Sequence, residues 1–227
     1  MNKVTVKNAG ISFQVFIRDS ADESVVAEIF KHHEYRAAEE IIKNATFPII
    51  DVGAHAGFFS LYVRSLNPTV QIIAVEPEPN NVAQLQKHFK ENSIRNVDII
   101  EAAIAGNTGT RPFYQSLDSH NHSLLTPTDS AITVPTLILS GLFKKCIIKR
   151  SSLLKLDIEG AEYEVFLNTK PELFKNIGAI ILEYHTVPGE DYKMLELLLR
   201  ENGYSVRHFP SKFDKTMGIF FAQRKLK

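Results

Sequence analysis

Short unbroken apolar runs alternate along this chain with stretches in which apolar residues recur every three or four positions. The runs at 47–52, 71–76, 97–101, 153–157 and 178–184 read as buried strands. The stretches at 57–66, 79–92, 160–168 and 190–202 read as helices, the last stopped by Gly203. In the second of these, Val82, Leu85 and Phe89 form the buried face while Gln86, Lys87 and Lys90 point outward. Strand and helix in strict alternation predict a parallel, doubly wound sheet. Ahead of it, Val4-Thr5-Val6 and Ile11–Ile17 flank Asn8-Ala9-Gly10 and predict a β-hairpin. Ser20 with Glu23 resembles a capping box for a helix whose apolar face is Val25, Val26, Ile29 and Phe30. Tyr204–His208 and Gly218–Ala222 predict a closing antiparallel hairpin, and a short strand is expected at Thr110–Tyr114. No internal repeat, linker or low-complexity tract interrupts the pattern.

The first strand runs into a turn, Asp51-Val52-Gly53-Ala54-His55-Ala56-Gly57-Phe58, before its helix. Glycine lets backbone N–H groups and a helix N-terminus approach a ligand closely, because no Cβ holds it away. Glu76 follows Gly53 by 23 positions at the tip of the next strand. An acid about 20 residues beyond such a turn accepts hydrogen bonds from ribose hydroxyls. A dinucleotide fingerprint would read Gly-x-Gly-x-x-Gly, and the third glycine is missing here. Asp51 can bind loop N–H groups or, directly or through water, an ammonium group. A ligand with a ribose and an ammonium but no phosphate fits, and S-adenosylmethionine is one.

Five segments resemble, in order, the FkbM-type S-adenosylmethionine-dependent methyltransferases of class I. They are Asp51–Gly57, Val75-Glu76-Pro77, Ala102-Ala103-Ile104, Lys155-Leu156-Asp157-Ile158-Glu159-Gly160-Ala161-Glu162 and Leu182-Glu183-Tyr184-His185. The glycine turn and Glu76 are general to class I enzymes, whereas Lys-x-Asp-x-Glu-Gly-x-Glu is particular to this family. The resemblance implies an α/β fold: a Rossmann-like, doubly wound, mostly parallel seven-stranded sheet with an antiparallel terminal hairpin. An N-terminal β-hairpin and helix precede it. Residues 1–227 are then one domain, with 1–45 the N-terminal extension and 46–227 the core. The implied cofactor is S-adenosyl-L-methionine, held by Asp51, Gly53, Ala54, His55, Gly57 and Phe58 of the turn. Glu76, Pro77, Glu101, Ala102, Ala103 and Asp157 add to it from later strand ends. The segment before the core closes over the cofactor in such enzymes. Glu28 and Tyr35 stand where the family has Glu and Tyr, so Tyr35 lines the pocket or serves as ordinary packing. The chain departs from the family at His55, usually Asn, and at Thr136-Leu137-Ile138-Leu139, where many members carry an acid. Neutral imidazole offers one donor and one acceptor where an amide offers more.

Lysine plus arginine number 26, as do aspartate plus glutamate, so the formal charge is zero. That disfavours a broad nucleic-acid footprint, which needs a basic face. Lys144, Lys145, Lys149 and Arg150 form a local basic patch that reads first as a solvated loop or helix end. Cys146 is the single cysteine, which rules out an internal disulfide or a multi-cysteine metal centre. No apolar run reaches the roughly 18 residues needed to span a bilayer, and the N-terminus lacks a signal peptide's apolar core. A soluble, cytoplasmic enzyme acting on a small-molecule or sugar acceptor is expected, with neither nucleic acid nor membrane as partner.

Methyl transfer from a sulfonium requires mainly that the acceptor be positioned and its proton removed. Asp157, Glu159 and Glu162 gather at one strand-to-helix turn, and gathered acids raise one another's pKa. Glu183 and His185 flank Tyr184, so alternation places them on one face. There the carboxylate can orient the ring of His185 as a general base. Asp157, Glu159, Glu183 and His185 are thus the catalytic candidates; the four could also hold Mg²⁺ or Mn²⁺, but their spacing does not demand a metal and none is expected. His120, His122 and Ser123, in a polar loop, are candidates for the acceptor side. The leading reading is O-methylation. The rivals are an NAD-dependent oxidoreductase and a catalytically inactive nucleotide-binding protein of the same fold.

Overall fold

A computed structural model describes residues 2–115, 123–125, 127–211 and 217–224. The expected N-terminal hairpin is β1 (Asn2–Asn8) and β2 (Ile11–Ile17), and α1 (Ser20–Phe30) follows it. The cap of α1 differs from the expected Ser20/Glu23 box. Asp19 is the N-cap, its side chain accepting from the Asp22 N–H at 3.0 Å. Being already extended, Asp19 reaches the orphan donor that Ser20, inside the helix, cannot. A 3-10 turn (Glu34–Ala38) and α2 (Glu39–Lys43) lead into the core.

The core runs β3 (Ile49–Val52), α3 (Phe58–Leu66), β4 (Ile72–Val75), α4 (Pro79–Glu91) and β5 (Val97–Ile100). After β6 (Ala103–Ile104), β7 (Gly109–Tyr114) and β8 (Ala131–Leu137) come α5 (Leu139–Lys145), β9 (Ser151–Leu156), α6 (Glu162–Leu167) and α7 (Pro171–Phe174). The chain closes with β10 (Ile177–His185), α8 (Tyr192–Glu201), β11 (Tyr204–Pro210) and β12 (Met217–Arg224). Seven strands form one sheet in the order β11-β12-β10-β9-β3-β4-β5. The five from β10 to β5 are parallel and β12 is antiparallel to both its neighbours. This is the parallel, doubly wound sheet with a terminal hairpin that the hydrophobic pattern predicted, with the seven strands that the family resemblance implied. A separate sheet, β6-β8-β7, was only partly foreseen.

The sheet is buried on both faces, which explains its unbroken apolar runs. Ile49, Ile72, Leu153, Ala179 and Ile181 face one core, shared with α1–α4 and the N-terminal hairpin. Their neighbours Ile50, Ile73, Leu154, Ile180 and Leu182 face the other, shared with α5–α8. Strand alternation therefore puts Asp51, Lys155, Glu183 and His185 on the α1–α3 side. Strand order reverses between β3 and β9, where the chain goes one way from β3 to β4 and the other way to β9 and β10. Ligands of doubly wound sheets bind beyond the carboxyl ends of the strands at such a point.

Candidate active site

A cavity of about 800 Å³ opens there, between the carboxyl ends of the strands and the N-terminal extension. Its size is that of a small-molecule site. Gly53 turns the chain out of β3 with φ +74°, and the N–H groups of Gly53 and Ala54 both donate to Val75 O at 3.0 Å. Gly57, at φ +83°, caps α3. Between them His55 also adopts a left-handed backbone, φ +49°. Among side-chain-bearing residues Asn, Asp and His tolerate that region best, so the backbone accepts His where the resembling family has Asn.

The turn is tied to Glu76, at the tip of β4. Glu76 Oε2 accepts from the His55 N–H at 2.8 Å, and Oε1 accepts from the Glu78 N–H at 3.0 Å and from Asn81 Nδ2 at 3.2 Å. Burial pushes its pKa up to about 7 despite those donors. Asn81 is held in turn by Arg18, whose Nη1 donates to its Oδ1 at 2.8 Å. Arg18 also clasps the buried Asp22 through Nε and Nη2 and approaches His55 Nε2 at 3.0 Å. The N-terminal extension is thereby fastened to the Glu76 wall of the cavity. Sequence reading missed Arg18 because the two partners that tie it to the cavity wall, His55 and Asn81, lie 37 and 63 positions away.

The other wall is built on β9 and β10. The β3–β9 register pairs Asp51 with Lys155, and the β9–β10 register pairs Leu156 with Leu182, so Asp157 and Glu183 come next to each other. Lys155 is buried; its Nζ donates to Gly53 O at 2.7 Å and lies 3.3 Å from Asp157 Oδ2 and 3.6 Å from Asp51 Oδ1. Burial alone would lower its pKa, yet Asp157 and Asp51 hold it above the usual lysine value. Lys155→Met is expected to cost about 3–5 kcal/mol, because Asp51 is left as an uncompensated buried charge. Thermal unfolding checks this, and adding Asp51→Asn should restore part of the loss.

Glu159 sits in the turn after β9 with φ +54°, its carbonyl accepting from Ser123 Oγ at 2.9 Å. His185 lies between two carboxylates: Nε2 is 3.5 Å from Glu159 Oε2, and Nδ1 is 3.5 Å from Oε1 of fully buried Glu162. Burial favours the neutral ring, but Glu162 and Glu159 together push the His185 pKa up to about 10. Burial and the neighbouring acids raise Glu159 to about 8 even with His185 beside it. Glu183 carries no hydrogen bond or ion pair among the described residues. Burial first, then Asp157, lifts its pKa well above the carboxylate range. Tyr184 points the opposite way, its hydroxyl 2.9 Å from His208 Nε2, as alternation requires.

Of the expected residues, Tyr35, Gly53, Ala54, His55, Phe58, Glu76 and Pro77 line the cavity, as do Ala102, Ala103, Asp157, Glu159, Glu183 and His185. Asp51, Gly57 and Glu101 do not. Asp51 is wholly buried, accepting from Ser60 Oγ at 2.7 Å. Gly57 packs against Leu85 and Phe89, and Glu101 is exposed. Ser123 braces the Glu159 turn instead of reaching the cavity, while His120 and His122 lie outside the described residues. Residues with no assigned role in the sequence, including Glu34, Lys155 and Asn81, complete the lining. Burial and Glu28 raise Glu34 to about 7. Asp157, Glu159 and His185 also bring one possible ligand atom each to within 4.8 Å of one another.

A sequence model of the methyltransferase FkbM domain matches residues 51–206. The methyltransferase sdnD of Sordaria araneosa is 24% identical over 215 residues, covering 80% of this chain and 82% of that relative. Among solved structures, a precorrin-6y C5,15-methyltransferase from Geobacter metallireducens is similar at TM-score 0.52 and 16% identity, covering 85% of this chain and 88% of that one. An rRNA methylase from Streptococcus thermophilus is similar at TM-score 0.55 and 7% identity, with 85% and 97% covered. At these identities the structural likenesses speak to the fold alone. No helix among the described residues is long and apolar enough to cross a membrane.

Proposed function

The chain belongs to the FkbM-domain methyltransferases, and from that premise we propose that it methylates a hydroxyl oxygen of a small molecule or sugar. It is an S-adenosylmethionine-dependent enzyme. The donor chemistry of the cavity fits that cofactor. Glu76, fixed by three N–H donors, offers its remaining lone pairs to ribose hydroxyls. Ala102 and Ala103 give an apolar wall suited to a purine ring, and among the described lining residues no Lys or Arg cluster awaits a pyrophosphate. When bound, S-adenosylmethionine supplies a sulfonium methyl group whose leaving group needs no acid.

The remaining work falls to the chain. With strands about 4.8 Å apart, Asp157 lies about 10 Å and Glu183 about 14 Å along the sheet from Glu76. The ribose end and the acceptor end are therefore distinct. Glu183 is the proton acceptor: each ring nitrogen of His185 has a carboxylate oxygen of Glu162 or Glu159 3.5 Å away, whereas among the described residues the Glu183 carboxylate, which lines the cavity, has no hydrogen bond or ion pair. Tyr35, whose pKa burial raises well above its usual value, stays a neutral hydroxyl beside it. Asp157 holds Lys155 against the Gly53 carbonyl and keeps the turn in place.

The observation that carries the acceptor class is the acceptor wall itself, where among the described residues the carboxylates of Glu28, Glu34, Asp157, Glu159 and Glu183 outnumber the basic groups beside them, His32, Lys155 and His185. Such a wall repels phosphate, which supports a neutral hydroxyl compound over RNA. Calorimetric titration with S-adenosylhomocysteine and NAD, followed by transfer of labelled methyl to sugars, small alcohols and RNA, tests the reading. Label in RNA, or in amines alone, overturns it. Glu183→Gln is expected to lower kcat by about 100-fold or more with cofactor affinity unchanged.

A further inference from the structure

We propose that Asp157, Glu159 and His185 are the ligands of a divalent cation of the Mn²⁺ type at the acceptor end of the cavity. The proposal rests on the methyl-transfer reading and deepens it, giving the acceptor hydroxyl a binding partner. The three residues come from the end of β9, the turn after it and the end of β10. Their spacing in sequence says nothing of a metal, and only the β9–β10 register brings them together. One potential ligand atom from each lies within 4.8 Å of the others. Ligands bound at about 2.2 Å around one octahedral ion stand about 3–4.4 Å apart, so small side-chain shifts suffice.

A second observation points to a cation independently of that spacing. A metal-binding histidine characteristically turns its other ring nitrogen to a carboxylate, which fixes the tautomer and the ring plane. Here Glu162, with no exposed surface, stands behind His185 with Oε1 3.5 Å from Nδ1. That leaves Nε2 for the side of Glu159 and Asp157. Glu162 Oε1 is anchored by the Ile158 N–H at 2.9 Å, and its Oε2 is buried without any hydrogen bond. A buried carboxylate oxygen left unpaired is costly, and positive charge one imidazole away offsets it. Lys155 does not fill this need: it approaches Asp157 on Oδ2 and is otherwise turned to the Gly53 carbonyl. Two carboxylates favour a hard ion and one imidazole favours Mn²⁺ over Mg²⁺ or Ca²⁺. A hydroxyl bound to this ion loses its proton more readily, and Glu183, two residues before His185, is placed to take it.

Mn²⁺ titration of the full chain, read by the electron paramagnetic resonance of the free ion, tests the site with and without S-adenosylhomocysteine. One equivalent is expected to bind. Glu159→Gln and His185→Ala should each weaken binding at least about tenfold, while Glu201→Gln, an exposed carboxylate outside the cavity, should leave it unchanged. Retained S-adenosylhomocysteine binding shows that a variant is folded. Absence of stoichiometric Mn²⁺ binding by the wild type overturns the proposal, as does equal weakening in all three variants. Failure to bind S-adenosylhomocysteine counts against the cofactor reading instead, and the Mn²⁺ curve of the free protein still decides the metal.

Discussion

Glu76→Gln is expected to weaken S-adenosylmethionine binding by about 100-fold. A hydrogen bond to a charged group is worth about 1.5–3 kcal/mol, and a ribose makes two of them to one carboxylate. Glutamine keeps the shape but replaces one oxygen by a donor, in a place already surrounded by the N–H groups of His55, Glu78 and Asn81. The pH dependence separates this from a simple packing defect. Burial raises the Glu76 pKa to about 7 in the cofactor-free protein, and the ribose needs the ionised form. Below pH 7 the wild-type Kd should therefore rise about tenfold per pH unit, and in Glu76→Gln this slope should vanish.

Stability moves in the opposite sense. The folded pKa of Glu76 lies above its unfolded value, so its contribution is fully present below about pH 4.5. That contribution is lost as pH rises through about 7. Cofactor-free protein should melt at a lower temperature at pH 8 than at pH 5. Glu34 and Glu159, raised to about 7 and about 8, add to the same trend. Glu76→Gln should flatten it in part. A variant that bound the cofactor as tightly as wild type at every pH would remove Glu76 from the ribose site.

Much of this was legible in the sequence, for local reasons. The turn from β3 into α3 announced itself because an unbroken apolar run, two glycines and a helical stripe lie within a dozen residues. Glu76 followed from its distance along one βαβ unit, and the facing of Glu183 and His185 from the period of a strand. What was not legible depends on contacts across the chain. Lys155 could be quoted as part of a motif, but its task of bridging Asp51, Asp157 and the Gly53 carbonyl exists only once β9 lies beside β3, 102 positions away. Glu162 read as one more acid in a cluster, and its place behind His185 appears only from β10. Glu101 lies outside the cavity for the converse reason. A strand end looks alike in sequence whether it faces the cavity or solvent, and β5, at the sheet's edge, lets Glu101 out. β8 went unread because Pro135 interrupts its alternation; it is the middle strand of the small sheet.

Gly53→Ala is expected to have the largest effect on stability, about 4 kcal/mol or more, which puts it among the exceptional substitutions. Two costs combine. The backbone at φ +74° is left-handed, which an alanine tolerates at about 1–2 kcal/mol. The added Cβ would also lie 1.8 Å from the carbonyl oxygen of Asp157 and 3.0 Å from its carbon. Those are backbone atoms, and no rotamer change removes them. Relief requires the ends of β3 and β9 to separate. That separation breaks the Lys155 bond to the Gly53 carbonyl and displaces Asp157 from the cavity. Gly189→Ala isolates the first cost, since φ there is +87° and nothing lies within 4 Å of the added atom. At about 2–4 °C per kcal/mol for a chain of this size, Gly189→Ala should lower the Tm by a few degrees and Gly53→Ala by about 10 °C or more. Equal losses in the two variants would mean that backbone conformation alone matters at the turn. The close approach of β3 to Asp157, on which the whole acceptor end is hung, would then be wrong.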